Sequence, residues 1–279
     1  MPRRPPKKLD PTLDLSAHFV ALADLPVPLD AMLRLAEPLL AAGITSLHLL
    51  VPRRSTVVGG LPLELLTPLE EAAASRPALA RGWLPLRHAF AHRPQPTVLW
   101  RADGARLSVE GGLALMETLL AALRACRPDA AAPLARIATL FARAELTALP
   151  RRDVAQTAAE AAVPAPGGAF FGIAVRETEA ALAGDDLFYD MPPPRPIGEP
   201  SPGLEAWSSA GAPLPWRVLL LAAEGLGGSA GPSAPGWWLR HMAMECVFSE
   251  ALATARPEAV IAARPDLVLT LAPEPPGPV

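Results

Sequence analysis

The stretch from Trp216 to Glu250 constrains this chain more than any other. It opens on an unbroken apolar run, Val218-Leu219-Leu220-Leu221, with Pro213 and Pro215 just ahead of it. Four apolar residues beside breakers are too few for a helix and suit a strand buried on both faces. Glu224 to Gly236 follows, crowded with Gly, Ser and Pro, and reads as a loop. From Trp237 the pattern turns helical: Trp238, Met242, Cys246 and Ala253 can share one apolar side, interrupted by Arg240, His241 and Glu245. Strand, glycine loop and helix in that order build a ligand site at the carboxyl end of an α/β sheet.

The rest of the chain repeats the alternation. His18 to Asp24 (HFVALAD) reads as a strand, Leu29 to Ala42 as a helix closed by Gly43, and Ile44 to Val51 as a second strand. Leu61 to Ala80 is helical, and Trp83 to Arg106 carries two extended runs around an Asp103-Gly104 turn, which suggests a hairpin-like insertion at about 82–107. Ser108 caps a helix that buries Leu113, Met116, Leu120 and Leu123 and stops at Pro128. Ile137 to Ala142 and Phe170 to Val175 read as strands, with a helix between them from Thr147 to Ala162. Val260-Ile261 and Leu267 to Leu271 read as a last, edge strand. The fold class that follows is α/β, with a mostly parallel central sheet flanked by helices on both faces. One domain spans 14–271, between a basic tail at 1–13, which holds the only two lysines, and a tail at 272–279.

Composition sets the outer limits. Hydrophobic residues make up 51% and charged residues 19%, enough to bury a core. No run approaches the ~18 apolar residues that span a bilayer, and the basic start lacks the apolar segment of a secretory signal. The expected location is cytoplasmic, with at most peripheral attachment to a membrane through Arg3, Arg4, Lys7 and Lys8. Cys126 and Cys246 read as buried, reduced thiols. A net charge of −3 gives no reason to expect nucleic acid. The five histidines have no zinc-ligand spacing. Gly225 to Gly231 (GLGGSAG) does not fit a dinucleotide loop, because its third glycine lies out of frame.

Four stretches, in this order, carry a family resemblance: HFVALAD, AGITSLHLLV, LTALPRRDVAQTAAEA with PAPGGAFFGIAV, and WWLRHMAMECVFSEAL. Together they resemble the cis-prenyltransferases, the undecaprenyl diphosphate synthases and their relatives. The resemblance implies that family's fold and Mg²⁺-assisted transfer of prenyl groups. It makes Asp24 the Mg²⁺ and catalytic carboxylate and Glu245 a second residue of the metal neighbourhood. Arg53, Arg54, Gly227, Gly228 and Ser229 fall where the family holds its diphosphates. Read without the family, Asp24 is a strand-end cap and Glu245 an acid paired with Arg240 or His241. The resemblance also implies an isoprenoid lipid and a homodimer, or a heterodimer with a homologous prenyltransferase subunit. The helix from Trp237 to Ala253, apolar on more than one side, would form part of that interface.

The departures bear on activity. Asp24 is followed by Leu25-Pro26-Val27-Pro28 in place of the family's Gly-Asn and arginine-bearing helix start. Pro52-Arg53-Arg54-Ser55-Thr56 lacks the family's Asn and Trp, and the glycine loop from Glu224 to Gly231 contains no arginine where the family has two. Two anionic sites have lost cations, each worth roughly 1.5–3 kcal/mol in a charge-assisted bond. The expected function is therefore a catalytically degenerate scaffold or partner subunit. An active prenyltransferase with a rebuilt site, or an unrelated α/β module holding a small ligand at the glycine loop, are the alternatives.

Overall fold

A seven-stranded mixed sheet forms the centre of the computed structural model, which describes residues 27–58, 63, 65–101, 106–148, 192–199, 203–223, 226, 228 and 231–275. In chain order the strands are β1 (Thr45–Val51), β2 (Trp83–Leu84), β3 (Arg195–Pro196), β4 (Leu204–Ser208), β5 (Leu214–Ala222), β6 (Ala243–Ser249) and β7 (Leu267–Pro273). Across the sheet they lie β2-β1-β7-β5-β6-β4-β3. The first five in that order run parallel, β4 lies antiparallel to β6, and β3 lies antiparallel to β4. The α/β reading of the sequence holds at that level. The strands expected at 18–24 and 170–175 lie outside the described residues.

Helices cover both faces. On one, α1 (Val27–Ala41), α3 (Pro68–Ala74), α4 (Pro77–Ala80) and α9 (Pro257–Ala262) bury Leu35, Leu39, Leu79 and Val260 against Leu50, Leu221 and Val268 of the sheet. On the other, α5 (Leu86–Ala91), α6 (Val109–Cys126), α7 (Ala131–Ala148) and α8 (Pro235–Met242) pack Phe90, Met116, Phe141 and Trp238 against Leu49, Leu269 and Leu220. A four-residue helix, α2 (Arg54–Val57), follows β1 directly. Each large apolar side chain so buried contributes about 1.5–3 kcal/mol. Gly43, at φ 72°, ends α1: its N–H reaches Leu40 O at 3.1 Å and that of Ile44 reaches Leu39 O at 2.9 Å. This pairing turns the chain straight into β1.

Several sequence expectations change. Leu267 to Leu271 is not an edge strand, because β7 runs on to Pro273 between β1 and β5 with six of its seven residues buried. The run LVLTLA, apolar but for one threonine, needs cover on both faces and edge positions on neither side. Val260-Ile261 is helical, within α9. Ile137 to Ala142 lies inside α7, where Leu134, Ile137 and Phe141 recur on one face. Phe141 meets Trp238 edge-on, with centroids 5.3 Å apart. Between 82 and 107 the chain contributes β2, α5 and a 3₁₀ turn (Pro96–Leu99) to the core, and the hairpin shrinks to one bridge, Trp100 to Leu107. Cys126 is exposed at the end of α6, whereas burial pushes the Cys246 thiol up to about 12.

The largest change concerns Trp237 to Ala253. The helix stops at Met242, and β6 takes over between β5 and β4. Within β6 the buried residues Cys246 and Phe248 recur with period two. Trp237 (5% exposed) and Phe248 (3%) are both buried inside their own chain. The apolar residues that overfilled a single helix belong to two elements, so their number no longer argues for a subunit interface.

One polar pair sits at the centre of the sheet. His48 and Thr270 are cross-strand partners on β1 and β7, both fully buried, with His48 Nδ1 2.8 Å from Thr270 Oγ1 and Nε2 3.3 Å from Ser46 Oγ. Burial lowers the His48 pKa from 6.5 to about 4. Below pH 6.5 the unfolded chain takes up a proton that the folded one refuses, so this histidine lowers stability as pH falls from about 6.5 to about 4 and leaves it flat above. The full effect is on the order of 3 kcal/mol. Urea midpoints of wild type and His48→Asn, measured between pH 7.5 and 4, should diverge in slope, with wild type losing more. Parallel curves would show that His48 does not titrate in this way.

Candidate functional site

The parallel strands define where a site can form. The chain leaves β1 toward β2 on one side of the sheet, and leaves β5 through α8 toward β6 on the other. The carboxyl ends of β1, β7 and β5 therefore flank a crevice at a topological switch point, where α/β proteins bind ligands. Pro52 and Arg53 follow β1, Ala223, Leu226 and Gly228 follow β5, and Glu274 follows β7.

This end is laced together by named bonds. The Arg53 backbone N–H donates to Glu274 Oε2 at 2.9 Å, and Arg53 Nε donates to the Glu274 carbonyl at 3.1 Å. The Glu274 N–H donates in turn to Val51 O at 2.8 Å. Trp100 Nε1 holds the Pro52 carbonyl at 2.9 Å, and Trp238 Nε1 holds that of Pro232 at 2.7 Å. Arg101 donates to Ser233 Oγ at 3.2 Å and to Leu107 O at 3.3 Å. The first turn of α6 closes against the same loop, because Gly111 and Gly112 have no side chain. A Cβ at Gly111 would stand 2.0 Å from Leu99 O, and one at Gly112 would stand 2.4 Å from Pro232 O.

Beside Arg53 a pocket of about 10 Å³, the size of one water molecule, is lined in part by Thr67, Glu70, Trp83, Arg87 and Glu274. It is far too small for an isoprenoid chain. Its wall carries a buried ion pair: Arg87 Nη2 lies 2.9 Å from Glu70 Oε2, with Nε within 3.2 Å of both carboxylate oxygens. Glu70 also closes the capping box of α3, taking the Thr67 N–H at 2.7 Å, and Arg87 reaches the Leu65 carbonyl. Burial pushes the Glu70 carboxyl up, but hydrogen bonds from Arg87 and Thr67 outweigh it and hold the group below its ordinary range.

The residues singled out in the sequence separate. Asp24, Gly227 and Ser229 lie outside the described residues. Arg53 and Gly228 (φ 101°) both stand at the carboxyl end. Arg54 is the first residue of α2 and makes contacts of its own. Glu245 is at the other end: it is the third residue of β6, paired in register with Arg217 of β5. Ser249 lies four positions further on, roughly 13 Å along the strand. Arg217 Nε donates to Glu245 Oε2 at 2.5 Å, the Arg217 N–H to Asp266 Oδ2 at 2.8 Å, and Nη1 to Ala263 O at 2.9 Å. The partner expected for Glu245, Arg240, instead stacks on the Trp207 ring at 4.8 Å. Glu245, already neutralised by an arginine, does not fit a Mg²⁺ site in this arrangement, and the described residues contain no group of three or more His, Cys, Asp or Glu suited to a metal.

Sequence reasoning missed Glu274, Arg101 and the Glu70–Arg87 pair. Glu274 follows the β7 apolar run directly, and recognising that run as a central strand would have placed it. The other two depend on contacts made across long sequence separations and left no local signal.

Comparison with protein-family models, with curated proteins and with solved structures returns no match. The fold is that of an α/β protein whose mixed sheet has its switch point at β1, β7 and β5. No helix among the described residues is long and apolar enough to cross a membrane.

Two measurements check this geometry. Glu70→Ala leaves Arg87 buried without its partner and should cost on the order of 3–5 kcal/mol in urea unfolding. The double variant Glu70→Leu/Arg87→Met should recover much of that loss; equal losses would show that the pair is not the origin. For the other end of the sheet, Glu245→Gln should lower stability by under about 1 kcal/mol, since the pair is partly exposed. The decrease in melting temperature should be the same with and without Mg²⁺. A Mg²⁺-induced rise in wild type that Glu245→Gln abolishes would restore Glu245 as a ligand.

Proposed function

We propose that this chain is a divergent cis-prenyltransferase-like protein, with the undecaprenyl diphosphate synthase fold, that has lost catalysis and serves as a scaffold or partner subunit. The order of its four family-like stretches supports the likeness, as does an α/β sheet in which β5, a glycine loop, α8 and β6 follow one another. The observation that carries the loss of catalysis is the distribution of charge. The loop after β5 has no arginine, Arg53 is tied through Nε to Glu274, and Glu245 is neutralised by Arg217 at the opposite end of the sheet. A diphosphate brought to Gly228 would meet glycine amides and few cations. The partner would be a second copy or a homologous, active prenyltransferase subunit, with an isoprenoid lipid and Mg²⁺ belonging to that subunit's chemistry.

A second reading has one observation in its favour. Arg53 and Gly228 follow β1 and β5, the strands on either side of β7 at a switch point, as a small-ligand module requires.

The deciding assay incubates the purified chain with farnesyl diphosphate, isopentenyl diphosphate and Mg²⁺, and follows chain elongation by chromatography. No product is expected from the isolated chain. Steady product formation that Asp24→Ala abolishes would overturn the degenerate reading in favour of an active enzyme. Sedimentation of the chain alone and mixed with an active prenyltransferase tests the partner role, and a monomer that stays monomeric in both would end it.

A further inference from the structure

We draw no further inference here: the strongest candidate, the partly exposed apolar strip of Leu204, Ala206, Leu219 and Val247 across the β4, β6 and β5 face of the sheet, carries nothing because nothing in the structure shows what covers it.

Discussion

The pairing of β7 with β1 on one side and β5 on the other joins the two halves of this protein. Without it, β1 and β2 would form one fragment, and β5, β6, β4 and β3 another, with no ladder between them. Seven register pairs link β7 to β1, and five link it to β5. The strand thus closes long loops on both sides, which costs chain entropy that its burial must offset. Its sequence meets that demand: Leu267, Leu269 and Leu271 face the α6 layer, while Val268 and Ala272 face the α1 layer. Thr270 is the exception, and His48 answers it across the ladder. A buried hydroxyl left alone would cost about 1–3 kcal/mol, so the pair also fixes register. A slip of one residue would set Thr270 against a leucine.

The two ends of β7 then define the two polar regions. At its start, Asp266 holds the Arg217 amide, and Arg217 in turn takes Glu245. Arg127, at the end of α6, stacks on Trp216 at 4.4 Å and pairs with Asp129, tying the helix layer to the same edge. At its finish, Glu274 holds Arg53. Both regions use an arginine to bind strand ends, yet only the second lies where a parallel sheet presents a ligand crevice.

How far the sequence could be read follows from what each signal depends on. The strands β1 and β5 and the helices α1 and α6 were legible because a local pattern and a local stop coincided: Gly43 after α1, Ser108 and Pro128 around α6. β6 was not, because AMECVFS has an alternation only three positions deep and follows a helix without a breaker. Its state is set by the ladders of β4 and β5 on either side, a tertiary effect that overrides propensity. The centrality of β7 was hidden for a related reason, since apolar runs announce burial but not neighbours. Of the candidate residues, the positions of Arg53 and Gly228 after strands were legible because each follows a strand-like apolar run. Glu245 was displaced because its role had been read on a helix, and a helix would have carried it away from Arg217.

That displacement is informative about chemistry. Glu245 is the third of the seven residues of β6, roughly 13 Å short of the strand's carboxyl end at Ser249. Within the chain its carboxylate is taken by Arg217, toward the start of β5 and away from the carboxyl ends of the strands. Arg53 is one of the cations described at this end, and its Nε and main-chain N–H are already committed to Glu274, whose carboxylate offsets its charge. An anion approaching Arg53 would meet its outer amino groups beside a neighbouring carboxylate. The carboxylate of Glu274 thus offsets the charge of Arg53 at the end of the sheet where parallel strands present a ligand site.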